Sequence, residues 1–388
     1  TLQHNPARLT STTARIDQES IRARSCFLCA ENEPKEQIRM PFEGRKGRRY
    51  NIQINPYPIF PQHLVIARAK HCEQSIWHHL VDILDIVSFC EDDVVFYNGP
   101  LSGASAPDHL HYQACPRGLM PLERAVDAAL DRVCGLELDD PRSGVPGELD
   151  YLTHLKDAKL YHYGRFARGI FTVRGHTSKS VAKLFYRLLE SAPVIPGDKE
   201  PRINVFLWYT GSEYRVMTVF RSKHHSHHFD STGEDHLTMA PGCADMAGFF
   251  IVPEEEDFSK LTPSLISGML DEVTLSPGDE AETVWRLKRR QTKIDVGIMS
   301  AKSITFEIIS DGAGPQNVTW EDGRISYNGV LYDELVFDAV TRSTLFSEPS
   351  FILYGVTIGV NFHWERKQNQ TFAGQLRFIV EGDRITAV

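Results

Sequence analysis

The chain of 388 residues lacks a long apolar run. A membrane-spanning helix needs roughly 18 consecutive apolar residues, and the N-terminal residues lack the apolar core of a signal peptide. We therefore expect a cytoplasmic protein without a membrane span. The chain also lacks an excess of positive charge, because 42 lysines and arginines stand against 51 aspartates and glutamates, for a formal net charge of −9. This balance argues against a general nucleic-acid-binding protein, but it is compatible with a local basic pocket for a nucleotide.

Cysteine is scarce, with seven residues scattered along the chain. An odd and dispersed set does not fit a disulfide framework. Only Cys26 and Cys29 have a telling spacing, C-x-x-C, which fits a redox pair, half of a metal site, or chance. The redox interpretation requires an apolar helix after the motif, whereas residues 30–36 are charged and turn-like. The metal interpretation requires two more ligands, for which His71 and His109 are candidates and His63 competes with His71.

What the sequence does contain is an unusual segment at residues 98–119. His109, His111 and Gln113 occupy every second position, a spacing that points side chains to one face of a strand. The preceding glycine- and serine-rich run can bring backbone N–H groups close to an anion. A neutral imidazole facing such a loop is a good nucleophile for phosphorus. A half-buried strand with mutually satisfied histidines is the alternative, but the combination of motif and loop favours chemistry.

This segment resembles the active-site strand of the histidine-triad superfamily. The resemblance is to the transferase branch, which includes galactose-1-phosphate uridylyltransferase, diadenosine tetraphosphate phosphorylase and GDP-sugar phosphorylases, and which carries H-x-H-x-Q where the hydrolases carry H-x-H-x-H. It implies that His111 becomes nucleotidylated, that Gln113 and Ser105 hold the phosphoryl oxygens, and that Asn98 lies beside them. It also implies a homodimer, since dimers are common in the superfamily.

The same resemblance implies a structural zinc ion. In the superfamily, two early cysteines, one middle histidine and the first histidine of the motif bind the metal, an order that this chain matches with Cys26, Cys29, His71 and His109. A Cys2His2 set is tetrahedral and closed. The zinc would therefore orient His111 through His109 rather than take part in catalysis.

Further substrate contacts are expected from two other regions. Residues 50–67 alternate as a hairpin around a proline-rich turn, and N-P-x-P-x-F-P-x-H-L-V-I resembles the block of the superfamily that holds nucleobase and ribose. By that analogy Asn51 and Asn55 lie near the nucleotide, although a plain core hairpin is the alternative. Arg221 and Lys223, after a later hairpin, are candidate phosphate ligands.

The pattern of elements predicts an α+β fold. Residues 1–140 and 141–280 are expected to form two degenerate histidine-triad-like units with antiparallel sheets and flanking helices, only the first with the histidine motif. Periodicity predicts helices at 75–95, 121–134 and 178–191, a loop or linker at 137–165, and a hairpin at 202–220. Residues 281–388 alternate as short strands, among them 360–364, and predict an all-β module. This module resembles the opening part of the amidase-enhancer domain of sporulation stage II protein D, which implies a link to the cell wall.

These expectations combine into a functional hypothesis. The chain is predicted to be a nucleotidyltransferase or phosphorylase that acts on a nucleoside diphosphate-sugar or dinucleoside polyphosphate through nucleotidyl-His111. Because the Gln113 amide cannot act as a general acid, transfer or phosphorolysis is favoured over hydrolysis. A non-catalytic nucleotide sensor linked to cell-wall machinery and a nucleotide hydrolase are the alternatives.

Overall fold

A computed structural model describes residues 1–133, 147–290, 296–309, 312–337, 350–359, 363–372 and 374–388 of the chain. The chain forms two compact units, Thr1–Thr292 and Lys293–Val388. Helices and antiparallel strands build the first unit, and strands build the described part of the second. The predicted α+β class is confirmed. The predicted limits of the two histidine-triad-like units stay a prediction, and the limit at residue 140 lies outside the described residues.

Strands of the first unit, within its described residues, are β1 (Leu2–His4), β2 (Arg39–Glu43), β3 (Arg49–Ile54), β4 (Leu64–Arg68), β5 (Asp93–Asn98), β6 (His111–Pro116), β7 (Leu149–Leu155), β8 (Ala158–Tyr163), β9 (Ile170–Gly175), β10 (Ile203–Tyr209), β11 (Tyr214–Phe220) and β12 (Phe250–Val252). Its helices are α1 (Leu9–Thr12), α2 (Gln18–Ala23), α3 (Leu80–Phe89), α4 (Pro121–Arg132), α5 (Ser178–Ser191), α6 (His227–Asp230), α7 (Cys243–Met246), α8 (Glu255–Lys260), α9 (Pro263–Val273) and α10 (Pro277–Arg290). Within that part of the chain, no helix is both long and apolar enough to cross a membrane.

Local sequence explains where several helices begin. Asp17, Thr177 and Thr262 each accept a hydrogen bond from the backbone N–H three residues later, so they cap α2, α5 and α9. Pro121 opens α4 at a position where a missing N–H costs nothing. Two predictions were wrong in part. The helix predicted over 75–95 is α3 followed by β5, and the loop predicted over 137–165 contains β7 and β8.

One ten-stranded antiparallel sheet organises the first unit, in the order β2-β3-β4-β6-β5-β10-β11-β9-β8-β7. The order is symmetric about the central β5–β10 pair. Read from the edge to the centre, the first half is β2-β3-β4-β6-β5 and the second is β7-β8-β9-β11-β10. On one face, α3 and α5 pack over a core that includes Leu84, Phe185 and Val205. On the other face, residues of α4, α7 and α9 enclose a second core with Phe96 and Phe206. The parallel pair β1–β12 fastens the N-terminus to the second half.

Strand register identifies the position in the second half that corresponds to His111. Phe96 faces Phe206 at the centre of the sheet, Gln113 pairs with Phe96, and Met217 pairs with Phe206. His111 lies two residues before Gln113, and Arg215 lies two residues before Met217. Their neighbours on the next strand are Ala67 and Arg174 respectively. The symmetry of the sheet therefore places Arg215 where the first half has His111.

A buried network of ion pairs occupies this position of the second half. The Arg215 guanidinium contacts Glu213 at 2.7 Å, Asp127 at 2.5 Å and Asp131 at 2.6 Å. Arg174 contacts the same Glu213 at 2.6 Å, and the side chains of Arg174 and Glu213 are 8% and 3% exposed. Charges that are buried this deeply remain ionised only when they are paired. The second half therefore has a structural network of ion pairs at the position where the first half has His111.

The described part of the second unit contains β13 (Met299–Ala301), β14 (Ser303–Ile308), β15 (Gln316–Glu321), β16 (Arg324–Tyr327), β17 (Val330–Tyr332), β18 (Glu334–Phe337), β19 (Phe351–Ile358), β20 (Arg366–Phe372), β21 (Leu376–Glu381) and β22 (Arg384–Ala387). They form a four-stranded sheet, β13-β22-β21-β18, and a six-stranded sheet, β17-β16-β15-β14-β19-β20. Phe306 and Phe378 pack in a shared core. Residues 360–362 of the strand predicted at 360–364 lie outside the described residues, and the amidase-enhancer resemblance stays a prediction.

Candidate active site

The backbone of His111 is held from both sides by one buried amide. Gln74 Oε1 accepts the His111 N–H at 2.8 Å, and Gln74 Nε2 donates to the carbonyls of His111 at 3.1 Å and Asn98 at 2.8 Å. Gln74 is 2% exposed, so water does not compete for these bonds. The arrangement fixes the start of β6 against the end of β5. Sequence analysis missed Gln74, because nothing in its local pattern indicates a partner 37 residues away.

The strand begins at His111 rather than at His109, so the predicted row of three side chains is wrong in one member. His111 and Gln113 lie two apart on β6 and share a face. His109 precedes the strand in a turn, where its N–H donates to the Ala106 carbonyl at 3.3 Å. Its ring turns towards Cys26 and Cys29.

The His111 ring has a defined tautomer. Its Nδ1 donates to the His109 carbonyl at 2.8 Å, and since a carbonyl only accepts, the ring proton is on Nδ1 and Nε2 keeps a free electron pair. His111 is 7% exposed. Burial lowers the pKa of His111 to about 4, outweighing the opposing effect of the His109 carbonyl. At neutral pH the ring is uncharged and its Nε2 has the electronic form of a nucleophile.

A second cluster brings together the four side chains expected to hold a metal ion. Cys26 Sγ lies 3.2 Å from His109 Nδ1, and Cys29 Sγ lies 3.2 Å from His71 Nδ1 and 3.5 Å from His109 Nδ1. All four ligand atoms lie within 4.8 Å of one another. Ligand atoms of a tetrahedral site with bonds of about 2.0–2.3 Å are separated by roughly 3.3–3.8 Å. The cluster can therefore hold a metal ion with little rearrangement.

The tautomer of His109 suits this cluster. His109 Nε2 donates to the Arg68 carbonyl at 2.7 Å, which leaves the electron pair of Nδ1 directed at the two cysteines. A ligating histidine ordinarily has its second nitrogen fixed in this way. His63, the competitor for a ligand position, lies elsewhere: its Nε2 is 2.9 Å from Gln113 Oε1. The cluster thus selects His71.

A cleft opens on the face of the sheet that carries Gln113. Its polar lining comes from three separated parts of the chain and includes Arg8 at the N-terminus, then Asn98, Ser105 and Gln113, and finally His224 and Asp245, whereas His111 is not among the lining residues. Asn98 Oδ1 accepts from Asn204 Nδ2 and from the Cys243 N–H, both at 2.8 Å. This leaves the Asn98 amide nitrogen as its remaining donor. The structure therefore brings three predicted site residues, Asn98, Ser105 and Gln113, into one cleft.

Arg8 and Asp245 give the cleft a charge pattern that sequence analysis missed. Arg8 is half-buried and donates to the Tyr57 carbonyl at 3.2 Å. Burial lowers the pKa of Arg8, and the nearby Asp245 opposes the shift. Burial raises the pKa of Asp245 to about 6, against hydrogen bonds from the N–H groups of Ile251 and Gly242. Arg8 is thus a cation at the cleft, and the carboxyl group of Asp245 near it is only weakly acidic.

Other predicted substrate residues lie outside the cleft lining. Arg221 is buried, and its guanidinium donates to Asn204 Oδ1 and to the carbonyls of Val273, Pro241 and His224. Lys223 is exposed and pairs with Glu272 at 2.9 Å. Their predicted roles as phosphate ligands stay predictions. The guanidinium N–H groups of Arg221 are already hydrogen-bonded within the protein.

The two predicted asparagines have different surroundings. Asn51 lies within β3, paired with Ala67. Asn55 is buried, its Nδ2 lies 3.3 Å from His63 Nε2, and it approaches Gln113 Oε1 at 3.5 Å. Asn55 is therefore close to the candidate site, whereas Asn51 is part of the sheet. A role for either in holding the nucleotide stays a prediction.

Comparisons with known proteins show similarity at two levels. Residues 1–116 match the family model described as "Domain of unknown function (DUF4922)". None of the curated proteins compared with the chain matches it. The match covers the metal cluster, His111 and Gln113, but neither Asp245 nor His224.

Solved structures similar to the chain include several nucleotide-converting enzymes. The yeast Ap4A phosphorylase Apa2 is 19% identical with a TM-score of 0.44, over 66% of this chain and 83% of that one. An ADP-glucose phosphorylase from Arabidopsis thaliana with bound ADP-glucose is 14% identical with a TM-score of 0.36, over 65% and 90%. A uridylyltransferase is 12% identical with a TM-score of 0.36, over 69% and 93%. Likenesses at these identities and TM-scores do not assign an activity to the chain.

Proposed function

We propose that the chain transfers a nucleoside monophosphoryl group through His111, as a nucleotidyltransferase or phosphorylase of the histidine-triad superfamily. The observation that carries this proposal is the His111 tautomer. A hydrogen bond to the His109 carbonyl fixes the proton on Nδ1, burial keeps the ring neutral, and Gln113 on the same face lines a polar cleft. An uncharged imidazole held in this way is prepared to attack phosphorus without a general base.

The reaction proceeds by two displacements. In the first, the electron pair of His111 Nε2 forms a bond to the α-phosphorus, and the bond from that phosphorus to the bridging oxygen breaks with its electrons on the leaving sugar phosphate or nucleoside polyphosphate. The ring becomes a cation, and the Nδ1–H bond to the His109 carbonyl stabilises it. In the second, an oxygen of inorganic phosphate or of a sugar phosphate attacks the same phosphorus and the N–P bond breaks. The substrate is a nucleoside diphosphate-sugar or a dinucleoside polyphosphate.

The polar side chains of the cleft bind the phosphate groups of the substrate. Gln113, Ser105 and the free amide nitrogen of Asn98 donate to the phosphoryl oxygens, and Arg8 offsets the negative charge of the phosphate chain. The Gln113 amide cannot protonate a leaving group, so the site suits leaving groups that are stable as anions. Phosphates meet this condition, which is why we propose transfer or phosphorolysis and not hydrolysis.

The metal in the Cys26–Cys29–His71–His109 cluster is proposed to be zinc. Two thiolates and two imidazoles are the ligand set that zinc prefers, and with four protein ligands the ion has no open position for substrate. Its effect on the reaction would be indirect, because it would fix His109, whose carbonyl accepts the hydrogen bond from His111 Nδ1.

The proposal is tested by intact-mass spectrometry of the full chain after incubation with nucleoside diphosphate-sugars and dinucleoside polyphosphates. We expect a mass gain of one nucleoside monophosphate, which is lost again when inorganic phosphate or a sugar phosphate is added. The base of the adduct identifies the nucleotide. An absence of adduct from every member of the panel, with nucleotide still bound in calorimetry, would replace the proposed activity with a sensing role.

The pH dependence of adduct formation is a separate expectation. The neutral ring is the reactive form, and a lowered pKa of about 4 keeps it neutral well into the acid range. At pH 5 a histidine with the ordinary pKa of 6.5 would be mostly protonated, and its labelling rate would be lower by about 30-fold than at pH 8. We expect less than a twofold decrease between pH 8 and pH 5 in single-turnover labelling. An acid limb centred near pH 6.5 would contradict the assigned environment of His111.

A further inference from the structure

A chain of hydrogen bonds leads from the backbone of the Pro-rich turn to Gln113. The Ile59 N–H donates to His63 Nδ1 at 3.1 Å, and His63 Nε2 lies 2.9 Å from Gln113 Oε1. Because Nδ1 accepts, the ring proton is on Nε2, and His63 Nε2 donates to the Gln113 amide oxygen. Asn55 Nδ2 approaches the same oxygen at 3.5 Å. The oxygen of Gln113 is therefore engaged by the protein, and its NH2 group is left for the cleft.

His63 is rigidly placed for this role. It is 2% exposed, and its ring packs against Phe60 and Phe96, with centroids 5.6 and 6.0 Å away. Burial lowers the pKa of His63 to about 4, and the charge of Arg8 adds to the shift. The ring therefore stays neutral with one donor and one acceptor, both of them used. A buried polar group that is satisfied on both sides holds its neighbours in a single arrangement.

We infer that His63 is the positioning residue that orients the Gln113 amide so that its NH2 group, and not its oxygen, faces the phosphoryl group. A primary amide has nearly the same shape in both orientations. The hydrogen bond from His63 at 2.9 Å is the shorter of the two contacts that distinguish them, the other being that of Asn55 Nδ2 at 3.5 Å. An amide turned by 180° would place its NH2 group against the His63 N–H and its oxygen against the anionic phosphate. The inference rests on the proposed function for its substrate. It adds the residue that makes Gln113 a hydrogen-bond donor, and not an acceptor, towards the phosphoryl group.

A histidine that merely fills the core would account for the burial of His63 but not for an effect transmitted through Gln113. A double-mutant cycle separates the two, since residues that act through one contact are non-additive. The variants are His63→Leu, His63→Gln, Gln113→Ala and the double variant His63→Leu/Gln113→Ala, with His154→Leu on β7 as a control at an exposed histidine. His63→Gln keeps an NH2 donor near the position of the imidazole Nε2. Melting temperatures of all variants are measured in parallel.

Two readouts are used, the single-turnover rate of adduct formation and the affinity for inorganic pyrophosphate by calorimetry, which needs no turnover. We expect His63→Leu to slow labelling by about 10-fold or more and to weaken pyrophosphate binding, as loss of an oriented donor does. His63→Gln should recover most of both. In the Gln113→Ala background the His63→Leu change should alter neither by more than about twofold.

Unchanged rate and affinity in His63→Leu would overturn the inference, as would an effect of the same size with and without Gln113. The outcome for the proposed function is separate. If the wild-type chain forms no adduct while the pyrophosphate affinities follow the cycle, the proposed transfer is wrong and the orientation of Gln113 by His63 stands.

Discussion

Replacement of His111 by asparagine is expected to abolish the covalent nucleotidyl adduct. The asparagine amide can still donate to the His109 carbonyl, which His111 Nδ1 contacts at 2.8 Å, but its nitrogen has no electron pair available for attack on phosphorus. Loss of a nucleophile typically lowers turnover by at least about 10⁴-fold. The measurement is intact-mass spectrometry under conditions that label the wild-type chain fully, followed by peptide mapping of the labelled residue.

The fold of this variant is expected to persist, because the strand is held through the backbone of residue 111 by Gln74. A melting temperature within a few degrees of the wild-type value, and retained binding of the nucleotide, are the controls. His154→Asn, at an exposed histidine, should label normally. An adduct of undiminished rate in His111→Asn, or one mapped to another residue in the wild-type chain, would remove His111 from the mechanism.

Loss of the metal cluster is expected to have the largest effect on stability. The purified chain should contain one zinc ion, and Cys29→Ser should lose it, because a serine hydroxyl does not replace a thiolate as a zinc ligand. Metal binding to such sites contributes on the order of 10 kcal/mol to the folded state. We expect the melting temperature of Cys29→Ser, or of the wild-type chain with a strong chelator, to be lower by more than about 10 °C.

Cys90→Ser is the matched control, since Cys90 is a half-buried free cysteine at the end of α3, apart from the cluster. It should keep both the metal and the melting temperature. Metal content is measured by elemental mass spectrometry and unfolding by calorimetry. A wild-type chain that is free of metal after purification without chelators, and that does not gain stability on addition of zinc, would show that the cluster is not a metal site.

Local patterns were sufficient for those parts of the site that depend on residue type and short spacing. The alternation of His111 and Gln113 and the C-x-x-C spacing are both visible within a few residues of sequence. The four side chains that the family resemblance implied as metal ligands do lie together. Helix α5 was predicted with its observed limits, because its apolar period and its cap at Thr177 agree. His109 departed from the predicted strand because it follows the turn at Ala106, which periodicity does not reveal.

Long-range partners could not be read from the sequence. Gln74 contacts His111 across 37 positions, and Arg8 lines a cleft that Asp245 also lines. No local rule marks either residue. The strands β7 and β8 were missed for another reason: the Gly- and Pro-rich run before them is typical of loops, and the order of these strands comes from pairing with β9 at the edge of the sheet.

The symmetric positions of His111 and Arg215 in the sheet have a consequence for the second half. Each half has the same strand order, yet the position of His111 in the first half is occupied in the second by Arg215, in a network with Glu213 and Arg174. Arg215→His would deprive Glu213 and Asp127 of a shared cation, and a small residue in place of Arg174 would weaken the pairing of Glu213 further. Leaving a buried charge unpaired costs about 3–5 kcal/mol. We therefore expect single substitutions at Arg215 or Arg174 to destabilise the second half, so that this part of the sheet tolerates little change in its charged residues.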